Sequence, residues 1–71
     1  MGMILNELRK LSEEKDKRVI IIDMSPSEKL MYRNGKLYII IDGVGTVKRK
    51  LFPREIMIVK TKIKNGDYRC Y

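Results

Sequence analysis

Histidine, tryptophan, alanine and glutamine are absent from this 71-residue chain, and cysteine occurs once, as Cys70. Without histidine the commonest transition-metal ligand and general acid–base group are missing. A single cysteine forms no intrachain disulfide and excludes a four-cysteine zinc site. No run of eighteen apolar residues is present, so no membrane span is expected. The N-terminus lacks a basic segment followed by an apolar run and a small-residue cleavage site, so a cytoplasmic protein is expected. Met1-Gly2 has Asn6 where a myristoylation start carries Ser or Thr, and Gly2 reads equally as a cloning remnant before a native Met3. The missing residue types, beside abundant Ile and Lys, fit an AT-rich genome or a thermophile.

Acidic residues are scarce in one part of the chain. Residues 1–28 hold five Lys/Arg against six Asp/Glu, a balance of −1, whereas residues 29–71 hold eleven against Asp42, Glu55 and Asp67, a balance of +8. The length allows one small domain, residues 1–71, with a small core. Ten isoleucines are the obvious supply for it, and their β-branching favours strands.

Ile4, Leu8 and Leu11 recur at helical spacing with Leu5 beside them, which predicts a short amphipathic helix over about residues 3–14. The mixed charges of Ser12–Arg18 mark its end. The β-rich basic part follows, over about residues 18–71. Val19–Ile22 is a continuous apolar run, the mark of a strand covered on both faces, which is expected to lie centrally with the helix on one side. Asp23-Met24-Ser25-Pro26-Ser27 is expected to break it as a turn, the alternative being one helical turn over Ser25-Pro26-Ser27-Glu28 capped by Ser25.

Asn34-Gly35 between Leu30–Arg33 and Lys36–Ile41 signals a two-residue hairpin pairing Arg33 with Lys36 and Tyr32 with Leu37. Its core face is then Leu30, Tyr32, Leu37, Ile39 and Ile41. Its other face carries Lys29, Met31, Arg33, Lys36, Tyr38 and Ile40. A strand over Thr46–Phe52, stopped by Pro53, would present Lys48 and Lys50 on one face. Asn65-Gly66 reads as a second hairpin turn after a strand over Ile56–Lys64. That register places Lys60, Lys62, Lys64, Arg69 and Tyr71 on one face and Val59, Thr61, Ile63, Tyr68 and Cys70 on the other.

The expected fold class is therefore α+β. An N-terminal helix packs on a small curled antiparallel sheet, or open barrel, of five to six strands with two Asn-Gly hairpins. Three further features have ordinary explanations. Asp42-Gly43-Val44-Gly45-Thr46 lacks the long loop, the Lys-Ser/Thr pair and the helix of a phosphate loop, and reads as a turn. Asp23 and Asp42 are aspartates where strands end, without the further carboxylates a metal site needs. Cys70 reads as a small inward-facing thiol with no base beside it.

Alternate strand residues stand about 7 Å apart on one face, near the phosphate spacing of nucleic acid. The expected function is a small non-enzymatic nucleic-acid-binding protein, mainly electrostatic and weakly sequence-specific, such as a viral, plasmid or chromosomal accessory factor. The expected contacts are Lys29, Arg33, Lys36, Lys48, Lys50, Lys60, Lys62, Lys64 and Arg69 to phosphates, with Tyr38 and Tyr71 stacking on bases. No cofactor, metal or catalytic group is expected. The alternative is a protein-interaction module, an inhibitor or adaptor meeting an acidic protein through the basic sheet, an edge strand or the helix. Self-association into a homodimer would double the basic surface.

Overall fold

The computed structural model describes residues 2–71, with side chains from Ile4 onward, so the reading of Met1 lies outside the described residues. The elements are α1 (Gly2–Lys15), β1 (Val19–Ser25), β2 (Glu28–Arg33), β3 (Lys36–Ile41), β4 (Gly45–Val47), α2 (Pro53–Asn65) and β5 (Arg69–Cys70). The five strands form one sheet in the order β4-β3-β2-β1-β5, each antiparallel to its neighbours. The sheet has two free edges and is not closed, so the class is α+β and the barrel alternative falls away. Among the described residues no helix is long and apolar enough to cross a membrane.

Period-two alternation sends Ile20, Ile22 and Met24 of β1, Leu30 and Tyr32 of β2, and Ile39 of β3 to one face, where all are buried. Ile4 and Leu8 of α1 and Val59 of α2 complete the core from above. Both helices meet the sheet chiefly over β1 and touch each other. β1 lies between β2 and the edge strand β5 rather than at the centre, and is covered on one face only, not on both as expected. Tyr32 is thus a core side chain, 4% exposed.

Residues 53–65 correct the expected second hairpin, for they form a helix rather than a strand. Isoleucines, Val59 and Thr61 favour a strand locally, but both ends carry helix signals. Pro53 sits at the first helical position, where its missing N–H costs nothing. Glu55, two residues on, accepts a 2.8 Å hydrogen bond from the Phe52 N–H, satisfying a donor the helix leaves free. At the other end Gly66 takes φ 73, the left-handed conformation. Its N–H donates to Ile63 O and that of Asp67 to Lys62 O, the paired bonds of a Schellman motif. Asn65-Gly66 therefore ends a helix, whereas Asn34-Gly35, with φ 50 and 81, turns β2 into β3 with Arg33 opposite Lys36. Asp67–Arg69 does not fold back on Lys60–Lys64; Arg69 and Cys70 pair instead with Ile21 and Ile20.

The strand expected over Thr46–Phe52 is also shorter, ending at Val47. Arg49 explains the departure. Its guanidinium donates to both Glu55 carboxylate oxygens at 2.8 and 2.9 Å, stands 3.6 Å from Glu28, and lies 4.3 Å from the centre of the Phe52 ring. Those contacts draw the chain off the sheet and pin the Lys48–Phe52 connection to the start of α2.

Candidate nucleic-acid interface

The sheet face opposite the core has no helix over it. It carries Val19, Ile21 and Asp23 of β1, Lys29, Met31 and Arg33 of β2, and Lys36, Tyr38 and Ile40 of β3, and none of these is buried. Strand register arranges them in three rows. Ile21, Met31 and Tyr38 are cross-strand neighbours, with Arg69 of β5 beyond Ile21. On one side lies the row Val19, Arg33, Lys36, which Tyr71 prolongs by exchanging backbone hydrogen bonds with Val19 at 2.8 and 3.2 Å. On the other lies Asp23, Lys29, Ile40 and Thr46.

The middle row is thus an apolar stripe ending in an aromatic ring, roughly 10 Å from β1 to β3 at ordinary strand spacing, with Arg69 beyond it on β5. Cations surround it. The Lys48 ammonium stands 5.9 Å from the centre of the Tyr38 ring, a cation–π contact that leaves one ring face for another partner. Asp23 is the one carboxylate in these rows, and Arg69 holds it at 3.0 Å. The arrangement offers a flat half-apolar platform with positive charge at its margins. It holds no nucleophile–base pair, and no cluster of three metal-ligating side chains occurs among the described residues.

The expected contacts divide between two sides of the molecule. Lys29, Arg33, Lys36, Tyr38, Lys48, Arg69 and Tyr71 come together on or around the open face. Lys60, Lys62 and Lys64 do not share a strand face with Arg69 and Tyr71, because they belong to α2 on the far side of the sheet. At helical spacing Lys60 and Lys64 share a flank, while Lys62 turns away and pairs with Asp67 at 2.9 Å. Lys50 lies in the connection and borders a cavity on the helix side. Cys70 stands opposite Ile20, half-buried against the core.

Two groups of residues escaped the sequence reading. Ile21 belongs to the open platform, and only its odd position within the Val19–Ile22 run distinguishes it from the buried Ile20 and Ile22. Arg49 and Glu55 form the hub that places α2, and the signal for them was Pro53 followed by a glutamate two residues later. Hydrogen bonding from Arg49 holds the Glu55 carboxyl below its ordinary value, against burial, which raises it; the Phe52 N–H adds to the lowering. The same bond to Glu55 raises the Arg49 guanidinium above its ordinary value.

Comparison with family models, curated proteins and solved structures finds no match to this chain.

Proposed function

We propose that the protein is a non-enzymatic nucleic-acid-binding module that takes a single strand across the open face of its sheet. The observation that carries this reading is the Ile21–Met31–Tyr38 stripe, uncovered by either helix and bordered by Arg33, Lys36, Lys48, Lys29 and Arg69. Unpaired bases have apolar faces to lay on Tyr38 and Met31, and phosphates then fall among the cations at the margins. A duplex shows a flat sheet only its phosphates and leaves the apolar stripe against water. No Asn or Gln stands in the three rows to read base edges, so the preference among sequences is weak.

Pairing of two copies through the same stripe is disfavoured by charge, since it sets Arg33, Lys36 and Lys29 of one copy against their equivalents. An acidic protein surface remains the competing partner.

Fluorescence anisotropy with labelled single-stranded RNA, single-stranded DNA and duplex DNA, across a salt series, tests the proposal. If about four phosphates are neutralised, log K for a single strand falls against log salt with a slope near −3. Arg33→Glu with Lys36→Glu abolishes this binding, and Lys60→Glu with Lys64→Glu, on the far side, leaves most of it. Equal loss from both pairs, or binding to duplex alone, refutes the open-face assignment.

A further inference from the structure

On the helix side, the sheet, the helices and the Lys48–Leu51 connection border a half-open cavity of about 600 Å³. We propose that this cavity binds a single-chain amphipathic anion, an alkyl carboxylate in its simplest form. The site lies across the sheet from the nucleic-acid face and does not depend on that reading.

Its size falls within the usual range for small-molecule sites, and its wall is the kind such sites have. Leu30 and Ile39, each 1% exposed, form the floor, and Leu37, Leu51 and Ile56 form half-buried sides. The charged residues among the lining are all cationic, Lys48, Arg49, Lys50 and Lys60, with no carboxylate beside them in the wall. Two of these cations are already engaged, Arg49 by Glu55 and Glu28, and Lys48 by the Tyr38 ring. Lys50 and Lys60 have no ion-pair partner among the described residues and are exposed at the border of the apolar wall.

An apolar body below two unpaired ammonium groups matches a ligand with an alkyl tail and an anionic head. A neutral hydrocarbon would leave the ammoniums unused, and a cationic amphiphile would meet them as like charge. Bases and sugars find no hydrogen-bonding partner on a floor of leucine and isoleucine, which separates this site from the open face by chemistry as well as by position.

Calorimetric titration of the whole chain with sodium octanoate, decanoate and dodecanoate, each kept monomeric, tests the assignment, with decyltrimethylammonium as the cationic control. Binding of one decanoate per chain is expected, with affinity rising about four-fold per added methylene while the tail fills the cavity. Decyltrimethylammonium should show no saturable binding. Lys50→Glu with Lys60→Glu, both exposed and away from the core, should weaken decanoate roughly ten-fold. A thermal melt of that variant reports whether the fold is intact. Amide shifts on decanoate addition should concentrate at Leu37, Leu51 and Ile56 and spare Met31. Absence of saturable decanoate binding, equal affinity for the cationic amphiphile, or shifts centred on Met31 would each overturn the proposal. Loss of nucleic-acid binding would bear on the other face alone.

Discussion

Ile20 and Ile21 are adjacent in β1 and chemically identical, yet Ile20 is 1% exposed beneath the helices while Ile21, on the uncovered face, is only half-buried. The same holds along the strand for Ile22 against Val19 and across it for Leu30 against Met31. Residue type does not separate the two faces of this sheet; what lies above each one does. On the covered face, apolar side chains meet Ile4, Leu8 and Val59. On the open face they meet cations at the margins and water between, which leaves an apolar stripe with no partner inside the chain. A surface of that kind gains by being covered, which is what the proposed strand would do.

The largest test of this contrast is to shorten one isoleucine on each face. Ile22→Ala removes a wholly buried side chain and should cost about 3 kcal/mol of stability, whereas Ile21→Ala should cost under about 1 kcal/mol. Urea denaturation midpoints compare the two, and similar losses would mean that the open face is packed. Next in size, Tyr38→Ala should weaken single-strand affinity by about 1–3 kcal/mol, roughly 5–150-fold, with the urea midpoint nearly unchanged. Loss of folding in that variant would move Tyr38 from the platform to the core.

A change at the end of α2 acts on the covered face alone. Gly66→Ala puts a side chain at φ 73, where no neighbouring atom obstructs it but the backbone itself resists, at a cost of about 1 kcal/mol. Thermal melts should show that loss, and salt-dependent strand binding at temperatures where the variant is folded should not change. α1 ends in the same pair of backbone bonds, Asp16 N–H to Glu13 O and Lys17 N–H to Ser12 O, with Asp16 at φ 53. Asp16→Gly should therefore stabilise the domain by a few tenths of a kcal/mol, in the opposite direction.

Acidity probes the hub beneath the helices. The Glu55 carboxyl is held below its ordinary value in the folded chain, so its contribution is complete above the ordinary glutamate range and is lost as pH falls through the lowered folded value. Thermal melts across an acid series should show stability falling in that region, and Glu55→Gln should lower stability near neutrality and flatten the fall. An acid dependence unchanged in Glu55→Gln would assign the effect to other carboxylates.

The α+β class was legible because apolar alternation, isoleucine content and the amphipathic N-terminal segment each report it locally. The nature of residues 53–65 was not. Val59, Thr61 and Ile63 alternate at a period of two, while Ile56, Val59 and Ile63 recur at helical spacing, with Glu55 and Val59 inward. β-Branching favours the first, and the decision comes from Pro53, the Glu55–Phe52 bond and the packing of Val59, which is fully buried against β1. The two Asn-Gly dipeptides teach the same lesson. Positive φ is common to both, but it serves a hairpin after Arg33 and a helix end after Lys64, and only the preceding dozen residues decide which. The basic residues of the second half were legible as a set. Their division between two sides of the sheet was not, because it follows from the helix.

The pairing of β1 with β5 joins residues some fifty positions apart, Ile20 with Cys70 and Ile21 with Arg69. On a ribosome, the outer edge of β1 therefore waits for α2 and β5 to be made, roughly 2.5–10 s at ordinary rates of synthesis. During that interval the strand that anchors the core presents unpaired backbone groups beside an isoleucine run, the kind of edge on which chains aggregate. Chaperone dependence of expression should accordingly track the strength of the β1–β5 closure more than the strength of the hairpin that forms first.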